Sequence, residues 1–182
     1  MPIDVLAVAG SLRRASYNRA VLCAVAELAP PSLSINPFDL DLPLYNGDLE
    51  PSPPARIVEL RARIRAAGAI LFATPEYNYS ISGVLKNAID WGSQPFGANA
   101  WDGKPAAILG ASISSIGTAR AQLHLRQVLA SLNVHVMTGP ELLIGRAAEK
   151  FDRDGNLTDA AVRQKLESFL QAFASWIPRV HP

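Results

Sequence analysis

A cluster of polar and basic side chains follows the first apolar segment of the chain. The apolar run covers residues 3–9, and Ser11, Arg13, Ser16 and Asn18 come soon after it. Hydroxyl and amide groups are neutral hydrogen-bond donors, and a guanidinium adds a charged pair of donors. A helix that begins among these residues would contribute unpaired N–H groups and the positive end of its dipole. The combination predicts a binding site for a phosphate group.

Helix capping is the alternative interpretation of the same residues. A serine or asparagine near the start of a helix often satisfies only the helix's own N–H groups. Arg13 and Arg14 would then be a solvated surface pair. Each residue taken alone favours capping, but their concentration in residues 10–18, after an apolar strand, favours anion binding.

Predicted strands and helices alternate along the chain. The predicted strands cover residues 3–9, 33–36, 69–74, 105–110 and 134–137, and the predicted helices cover residues 16–28, 55–67, 84–91, 119–132 and 159–176. Strands that are almost continuously apolar and separated by helices are typical of a parallel sheet covered on both faces. The sequence therefore predicts an α/β fold, a three-layer sandwich with a five-stranded parallel sheet. Gly68 is expected to end the second helix as its cap.

A second polar loop follows the third predicted strand and contains Pro75, Glu76, Tyr77 and Asn78. In an open parallel sheet, ligands bind beyond the carboxyl ends of the strands where the strand order reverses. With the order 2-1-3-4-5, the first and third strands flank that point. Alone, the loop is explained slightly better as a proline-initiated turn with an aromatic plug. Next to a phosphate-binding loop, the Tyr77 ring and the N–H groups expected at residues 76–78 suit a flat heterocycle that carries a phosphate group. The two loops together therefore predict FMN as the ligand.

Composition and charge exclude several other classes of protein. The chain has 182 residues, of which 49% are hydrophobic and 18% charged, which suits one domain over residues 1–182. No apolar run reaches the roughly 18 residues that a bilayer span needs. The first residues lack the basic segment of a signal peptide, so a cytoplasmic location is expected. A net charge of +1 gives no excess of positive charge that would indicate binding to nucleic acid.

Other potentially reactive residues have simpler interpretations. Cys23 is the only cysteine, so an intramolecular disulfide is impossible, and its helical spacing from apolar neighbours predicts a core position. The spacing of Lys86 and Asp90, at positions i and i+4 of one helix, predicts an ion pair on its surface. His124 is expected to be a hydrogen-bonded packing residue, and residues 152–156 a plain turn without a metal.

Three segments resemble the NADPH-dependent FMN reductase family, and its bacterial quinone and chromate reductases in particular. They cover residues 10–18, 74–80 and 83–91, and residues 103–112 and 119–126 extend the resemblance. It implies a flavodoxin-like fold that binds FMN without a covalent link. Two departures concern the open face of the flavin: Ser82 stands where relatives usually have proline, and the loop 113–118 has less glycine than is usual.

The resemblance also assigns roles to individual residues. The residues that bind the FMN phosphate in members of the family correspond to the first polar cluster of this chain. Those that border the isoalloxazine ring correspond to the second polar loop. The phosphate residues are Ser11, Arg13, Ser16 and Asn18, with the backbone through Tyr17, and the ring residues are Pro75, Glu76, Tyr77 and Asn78. The loop around Ala111 and Ser112 would close the other side. In this family the helix of residues 83–91 helps to build a homodimer or homotetramer.

The predicted activity is transfer of electrons from NADPH or NADH, through FMN, to small acceptors in a ping-pong sequence. Quinones, free flavins, azo compounds and chromate are within reach of reduced FMN. The cofactor accepts the hydride, so no catalytic side chain is assigned. An electron-carrier flavodoxin is the alternative, although the near-neutral charge disfavours it. A phosphatase is disfavoured because residues 11–18 contain neither a cysteine nor a Gly-Lys-Ser/Thr sequence.

Overall fold

The computed structural model describes residues 1–180. Strands and helices alternate in it, except that two short strands follow each other before the last helix. The elements in chain order are β1 (Ile3–Ala9), α1 (Tyr17–Leu28), β2 (Leu33–Phe38), α2 (Ala55–Ala66), β3 (Ala69–Ala73), α3 (Gly83–Ser93), β4 (Pro105–Ala111), α4 (Ala119–Ala130), β5 (His135–Val136), β6 (Leu142–Ile144) and α5 (Ala160–Val180). Short 3-10 turns cover Gly47–Leu49 and Ala147–Glu149.

The sheet has the strand order β2-β1-β3-β4-β5, and every paired neighbour in it is parallel. This confirms the predicted order and gives the flavodoxin-like member of the doubly wound α/β folds. The order reverses between β1 and β3, so their carboxyl ends flank the point where ligands bind in such sheets.

A short sixth strand was not predicted. β5 pairs with Pro105 and Ala106 at the start of β4, whereas β6 pairs with residues 109–111 at its end. The two short strands thus share one edge of β4, and β5 is shorter than the predicted segment 134–137. β6 has only three residues, which is too short for a two-residue alternation to be recognised in the sequence.

The apolar core consists of two layers, one on each face of the sheet. In β1, Val5 and Ala7 belong to the layer under α1 and α5, whereas Leu6 and Val8 belong to the layer under α2, α3 and α4. Successive strand residues point to opposite faces. A strand covered on both faces is therefore apolar at almost every position, which is the pattern that predicted this fold.

Two predictions about single residues in the helices are wrong. Cys23 is exposed, because the buried side of α1 is formed by Val21, Leu22, Ala24 and Val25. Gly68 does not cap α2, which ends at Ala66 with Ala67 as its cap. A Cβ at residue 68 would lie 2.9 Å from the Ile3 side chain, so this glycine permits a close approach instead.

The predicted ion pair and turn are present. Lys86 Nζ lies 2.8 Å from the Asp90 carboxylate on the exposed face of α3. In the turn at residues 152–156, an Asp152 carboxylate oxygen accepts hydrogen bonds from the N–H groups of Asp154 and Asn156. Over residues 1–180, no helix has both the length and the apolarity that a bilayer crossing requires.

Candidate functional site

A polar cleft of about 280 Å³ lies beyond the carboxyl ends of β1, β3 and β4. Its lining includes nine of the ten residues predicted from the sequence: Ser11, Arg13, Ser16, Tyr17, Asn18, Pro75, Glu76, Tyr77 and Ser112. Ala111 and Ile113 complete it, whereas the tenth predicted residue, Asn78, is not part of the lining. The fold thus brings together three loops that are far apart in the sequence.

Gly10 allows the first two loops to touch. Its N–H group donates to the Ala73 carbonyl at 2.9 Å, which continues the β1–β3 ladder by one residue. A Cβ at this position would lie 2.9 Å from Pro75 Cδ and 3.0 Å from Ser82 Oγ. Any larger residue would therefore push the loop after β1 away from the loop after β3.

The loop after β1 supplies hydrogen-bond donors. Ser11 and Ser16 are only 5% and 4% exposed, and both line the cleft. Within the described part of the chain, the backbone N–H groups of residues 11–15 donate to no backbone carbonyl. Arg13 lies at the same end of the cleft. A loop with free N–H groups, hydroxyls and one guanidinium suits a phosphate monoester.

Ser16 is compatible with both interpretations of the polar cluster. It is the N-cap of α1, and its hydroxyl oxygen accepts a hydrogen bond from the Asn18 N–H at 3.2 Å. A hydroxyl group has one proton and two lone pairs. Capping therefore uses an oxygen lone pair and leaves the proton available to an anion in the cleft.

The Asn18 side chain connects two parts of the cleft. Its amide nitrogen donates to the Ala111 carbonyl at 3.0 Å, and its amide oxygen accepts from the Ala111 N–H at 2.9 Å. This paired contact fastens the start of α1 to the end of β4. The amide nitrogen carries a second N–H group, so this structural contact leaves one donor for the anion that the sequence predicts.

The Glu76 carboxylate points toward α4. One of its oxygens accepts hydrogen bonds from the N–H groups of Arg120 and Ala121, at 3.1 and 3.2 Å. Its other oxygen pairs with the Arg120 guanidinium. Thr118 precedes α4 but provides no side-chain cap, so Glu76 fills that role. Arg120 was not among the predicted site residues, because 44 residues separate it from Glu76 in the sequence.

The tight turn at residues 77–80 departs from expectation in one respect. The Tyr77 N–H donates to the Ser80 carbonyl at 3.0 Å, and the Ser80 N–H donates back to Tyr77 at 2.9 Å. Of the three N–H groups expected to face a ligand at residues 76–78, the one of Tyr77 is therefore used inside the turn. Ser80 also contacts His124, whose Nδ1 lies 3.1 Å from the serine hydroxyl. His124 has the predicted hydrogen bond but is exposed and is not packed in the core.

Ser82 ties the second loop to the first. It is the N-cap of α3, where its hydroxyl oxygen accepts from the Leu85 N–H at 3.1 Å. The same hydroxyl donates to the Gly10 carbonyl at 2.6 Å. The position that departs from the family pattern thus caps a helix and also holds the loop after β1 in place.

The loop after β4 is held by the unpredicted strand β6. The Ser112 N–H donates to the Ile144 carbonyl at 2.9 Å, and the Ala147 N–H donates to Ser112 at 3.0 Å. Gly117 has a positive φ of 64°, and a Cβ there would lie 3.1 Å from the Leu143 backbone. The single glycine of the segment 113–118 is therefore the one that this contact needs.

The fold and the cleft define a doubly wound α/β protein with a cleft rich in hydrogen-bond donors at its topological switch point. Residues 3–149 match the family described as NADPH-dependent FMN reductase. The chain belongs to this family, and it is an FMN-dependent enzyme with NAD(P)H as co-substrate. The predictions of family, enzyme class and cofactor are thereby confirmed.

Similar proteins agree over nearly the full length. An NAD(P)H-dependent FMN reductase of Pseudomonas aeruginosa is 51% identical to this chain, and the alignment covers 98% of this chain and 97% of that protein. A 2-hydroxy-1,4-benzoquinone reductase of a Burkholderia species is 42% identical, with 97% of each chain covered. The solved structure of FerB, a flavoenzyme NAD(P)H:(acceptor) oxidoreductase from Paracoccus denitrificans, has a TM-score of 0.91 at 39% identity and covers 97% of this chain and 98% of its own.

The paired contact between Asn18 and Ala111 generates a prediction about stability. The variant Asn18→Ala leaves both polar groups of the Ala111 backbone unpaired near a buried strand end, so its free energy of unfolding falls by about 1–3 kcal/mol. Urea denaturation of the protein without FMN measures this. The control is Asn156→Ala, which removes an exposed contact with Asp152. Equal stability of the wild type and Asn18→Ala would contradict the structural role of this side chain.

Proposed function

We propose that this protein oxidises NADPH or NADH through FMN bound in the cleft and delivers the electrons to small acceptors, quinones above all. The observation that carries the proposal is the convergence of the three predicted loops on one cleft, in a chain of the FMN reductase family. The printed names of relatives as quinone reductases support quinones as acceptors.

The phosphate end of FMN is assigned to the loop after β1. Ser11 and Ser16 would donate their hydroxyl protons, and the free N–H groups of residues 11–15 would complete the cradle. Arg13 would add a charge-assisted bond from the rim. Its guanidinium lies 5.9 Å from the Tyr17 ring, which keeps it over the start of α1. All of these groups favour a dianion over a neutral ligand.

The ring end of FMN is assigned to the space between the loop after β3 and the loop after β4. Pro75 and Tyr77 provide apolar surface on one side, and Ser112 with Ile113 lies on the other. Glu76 and Asn78 belong to the same border through their backbone, since the Glu76 carboxylate is committed to α4. The Tyr77 side chain is about half exposed and leaves part of the cleft open to substrate.

The chemistry places modest demands on the protein. When bound, FMN would supply the redox chemistry. A hydride from NAD(P)H carries two electrons and one proton, so with one further proton from solvent a quinone would become a hydroquinone and NAD(P)+ would be released. The residues of the cleft hold the phosphate and fix the ring against Pro75. They leave one side open, which both substrates would use in turn. This shared opening is the reason for proposing a ping-pong sequence, and for including free flavins, chromate and azo compounds among the acceptors.

Arg13 gives a direct test of the phosphate assignment. Arg13→Ala removes a charge-assisted hydrogen bond of about 1.5–3 kcal/mol, so the Kd for FMN rises by roughly 10- to 100-fold. Quenching of FMN fluorescence on titration into the apoprotein measures this. Arg14→Ala is the matched control, because Arg14 is a neighbouring arginine that does not line the cleft.

Riboflavin, which lacks the phosphate, is the second arm of this experiment. Its Kd is expected to be the same for Arg13→Ala and for the wild type. If Arg13→Ala binds FMN as tightly as the wild type does, or loses the same affinity for riboflavin as for FMN, Arg13 does not bind the phosphate.

Steady-state kinetics test the activity and its order. With NADPH and a benzoquinone varied together, double-reciprocal plots are expected to give parallel lines, because the first product leaves before the acceptor binds. Chromate and an azo dye are measured in the same way. Intersecting lines would exclude the ping-pong sequence. A protein that binds FMN but oxidises NADPH only at a trace rate would instead be an electron-carrier flavodoxin.

We also propose that the chain works as a homodimer or homotetramer through the face formed by α3 and α4. A groove of about 690 Å³ runs between these helices, and its lining includes Lys86, His124 and Gln127. Leu123, on α4 beside His124, is 61% exposed. Leu123 precedes His124, which lines the groove, so a second subunit that covered the groove would also cover this apolar side chain.

Light scattering coupled to size-exclusion chromatography tests this arrangement. The wild type is expected to have the mass of two or four chains, and Leu123→Glu a smaller mass, because the new charge would be buried without a partner. Val58→Glu is the control, since Val58 is a comparably exposed residue on α2. A single-chain mass for the wild type at all concentrations would exclude the oligomer, and an unchanged mass for Leu123→Glu would exclude this face.

A further inference from the structure

The turn at residues 77–80 has an unfavourable backbone conformation. Its two central residues, Asn78 and Tyr79, have positive φ angles of 50° and 69°. Such a turn normally has glycine at the second central position, and asparagine is tolerated at the first. A tyrosine in the left-handed region is rare, because its Cβ crowds the backbone. Another part of the structure must therefore stabilise Tyr79 in this conformation.

Arg120 provides that stabilisation. Its guanidinium carbon lies 3.6 Å from the centre of the Tyr79 ring, close enough for stacking and for attraction between the cation and the ring. The Tyr79 side chain is 66% exposed, so the core does not hold it. The guanidinium is the group that covers this ring.

The guanidinium is itself fixed in position. Arg120 Nε donates to Glu76 at 2.5 Å, and a second guanidinium nitrogen contacts the same carboxylate oxygen. The other oxygen of Glu76 accepts from the first N–H groups of α4. The Glu76 side chain is almost fully buried, whereas the Arg120 side chain is 35% exposed, so the carboxylate of this pair is the partner that is shielded from solvent. Carboxylate, guanidinium and helix start therefore form one unit, on which the Tyr79 ring rests.

The same helix also holds the end of the turn. The hydroxyl of Ser80 lies 3.1 Å from Nδ1 of His124, one helical turn after Arg120. Glu76 precedes the turn, Tyr79 lies within it and Ser80 ends it, and all three contact α4. The start of α4 thus sets the shape of the segment that follows Pro75.

We propose that Arg120 is a positioning residue for the flavin reaction. The inference rests on the proposed function, in which residues 75–78 border the isoalloxazine ring. Arg120 does not line the cleft. It acts through Tyr79, whose ring is covered by the guanidinium that Glu76 fixes in position. This contact keeps the turn in the one shape that places Tyr77 and Asn78 at the edge of the ring.

The first test is Arg120→Ala. Without the guanidinium, the turn relaxes from its left-handed conformation, and the Kd for FMN is expected to rise about tenfold, which corresponds to about 1.4 kcal/mol. The visible absorbance band of bound FMN shifts toward that of free FMN, and kcat/KM for NADPH falls about tenfold. Fluorescence titration of the apoprotein and the absorbance spectrum measure the binding effects independently of turnover.

A double variant separates positioning from a direct role. Glycine adopts positive φ without strain, so Tyr79→Gly makes the turn independent of Arg120. The double variant Tyr79→Gly with Arg120→Ala is expected to recover an FMN Kd and a spectrum within about threefold of Tyr79→Gly alone. If the double variant binds FMN as weakly as Arg120→Ala, Arg120 acts by another route and the proposal is overturned.

A matched control exists on α2. The Arg56 guanidinium lies 4.0 Å from the centre of the Phe38 ring and pairs with Glu59 at 2.7 Å, which is the same combination of contacts away from the cleft. Arg56→Ala is expected to leave FMN binding unchanged. If the Kd for FMN, the absorbance spectrum and kcat/KM of Arg120→Ala equal those of the wild type, the proposal is overturned. If that variant does not fold, Arg120→Gln, which keeps a donor for Glu76, takes its place with the same expected direction. Failure of the wild type to bind FMN would instead refute the proposed function.

Discussion

The close approach of the loop after β1 to the loop after β3 is the constraint on which the site depends. Gly10 leaves room for Pro75 and Ser82 that no Cβ would allow. The Ser82 hydroxyl then donates to the Gly10 carbonyl at 2.6 Å. This contact joins a loop rich in free N–H groups to a loop that carries apolar rings. A ligand with an anionic end and a flat end can span the two only because they are adjacent.

The second constraint is the position of the loop after β4. Asn18 fixes Ala111 to the start of α1, and β6 holds Ser112 from the opposite side. Both contacts use backbone groups at the end of β4, which is buried along its whole length. The loop therefore has little freedom to open or close the cleft. Its position is set by the sheet and by α1 together.

Much of the fold could be predicted because its physical cause is local. Apolar runs such as residues 69–73 are almost uninterrupted, and a strand buried on both faces needs that pattern. The loops after β1 and β3 were recognisable from their residue types, and nine of the ten assigned residues do line one cleft. The roles of those residues as FMN ligands come from the family resemblance and remain predictions.

What could not be predicted depends on contacts between distant residues. Asn18 has the residue type of a phosphate ligand, but its partner is the backbone of Ala111, 93 residues away. Glu76 resembles a ring-bordering acceptor, but its carboxylate caps a helix that begins at Ala119. Cys23 has helical spacing from apolar neighbours and still faces outward, because spacing alone does not fix the rotation of a helix about its axis. In each case the tertiary partner decides the role.

The contacts of Asn18 and Glu76 have the same physical effect on the cleft. The Asn18 amide and the Glu76 carboxylate both form hydrogen bonds to protein backbone. Their contacts stiffen β4, α1 and α4, and leave the cleft with N–H groups, hydroxyls and one arginine. A site assembled this way meets its ligand with groups that are already held in position, so less conformational freedom is lost on binding. In a chain of nearly neutral charge, binding of an anion in such a cleft would depend on oriented dipoles more than on net charge.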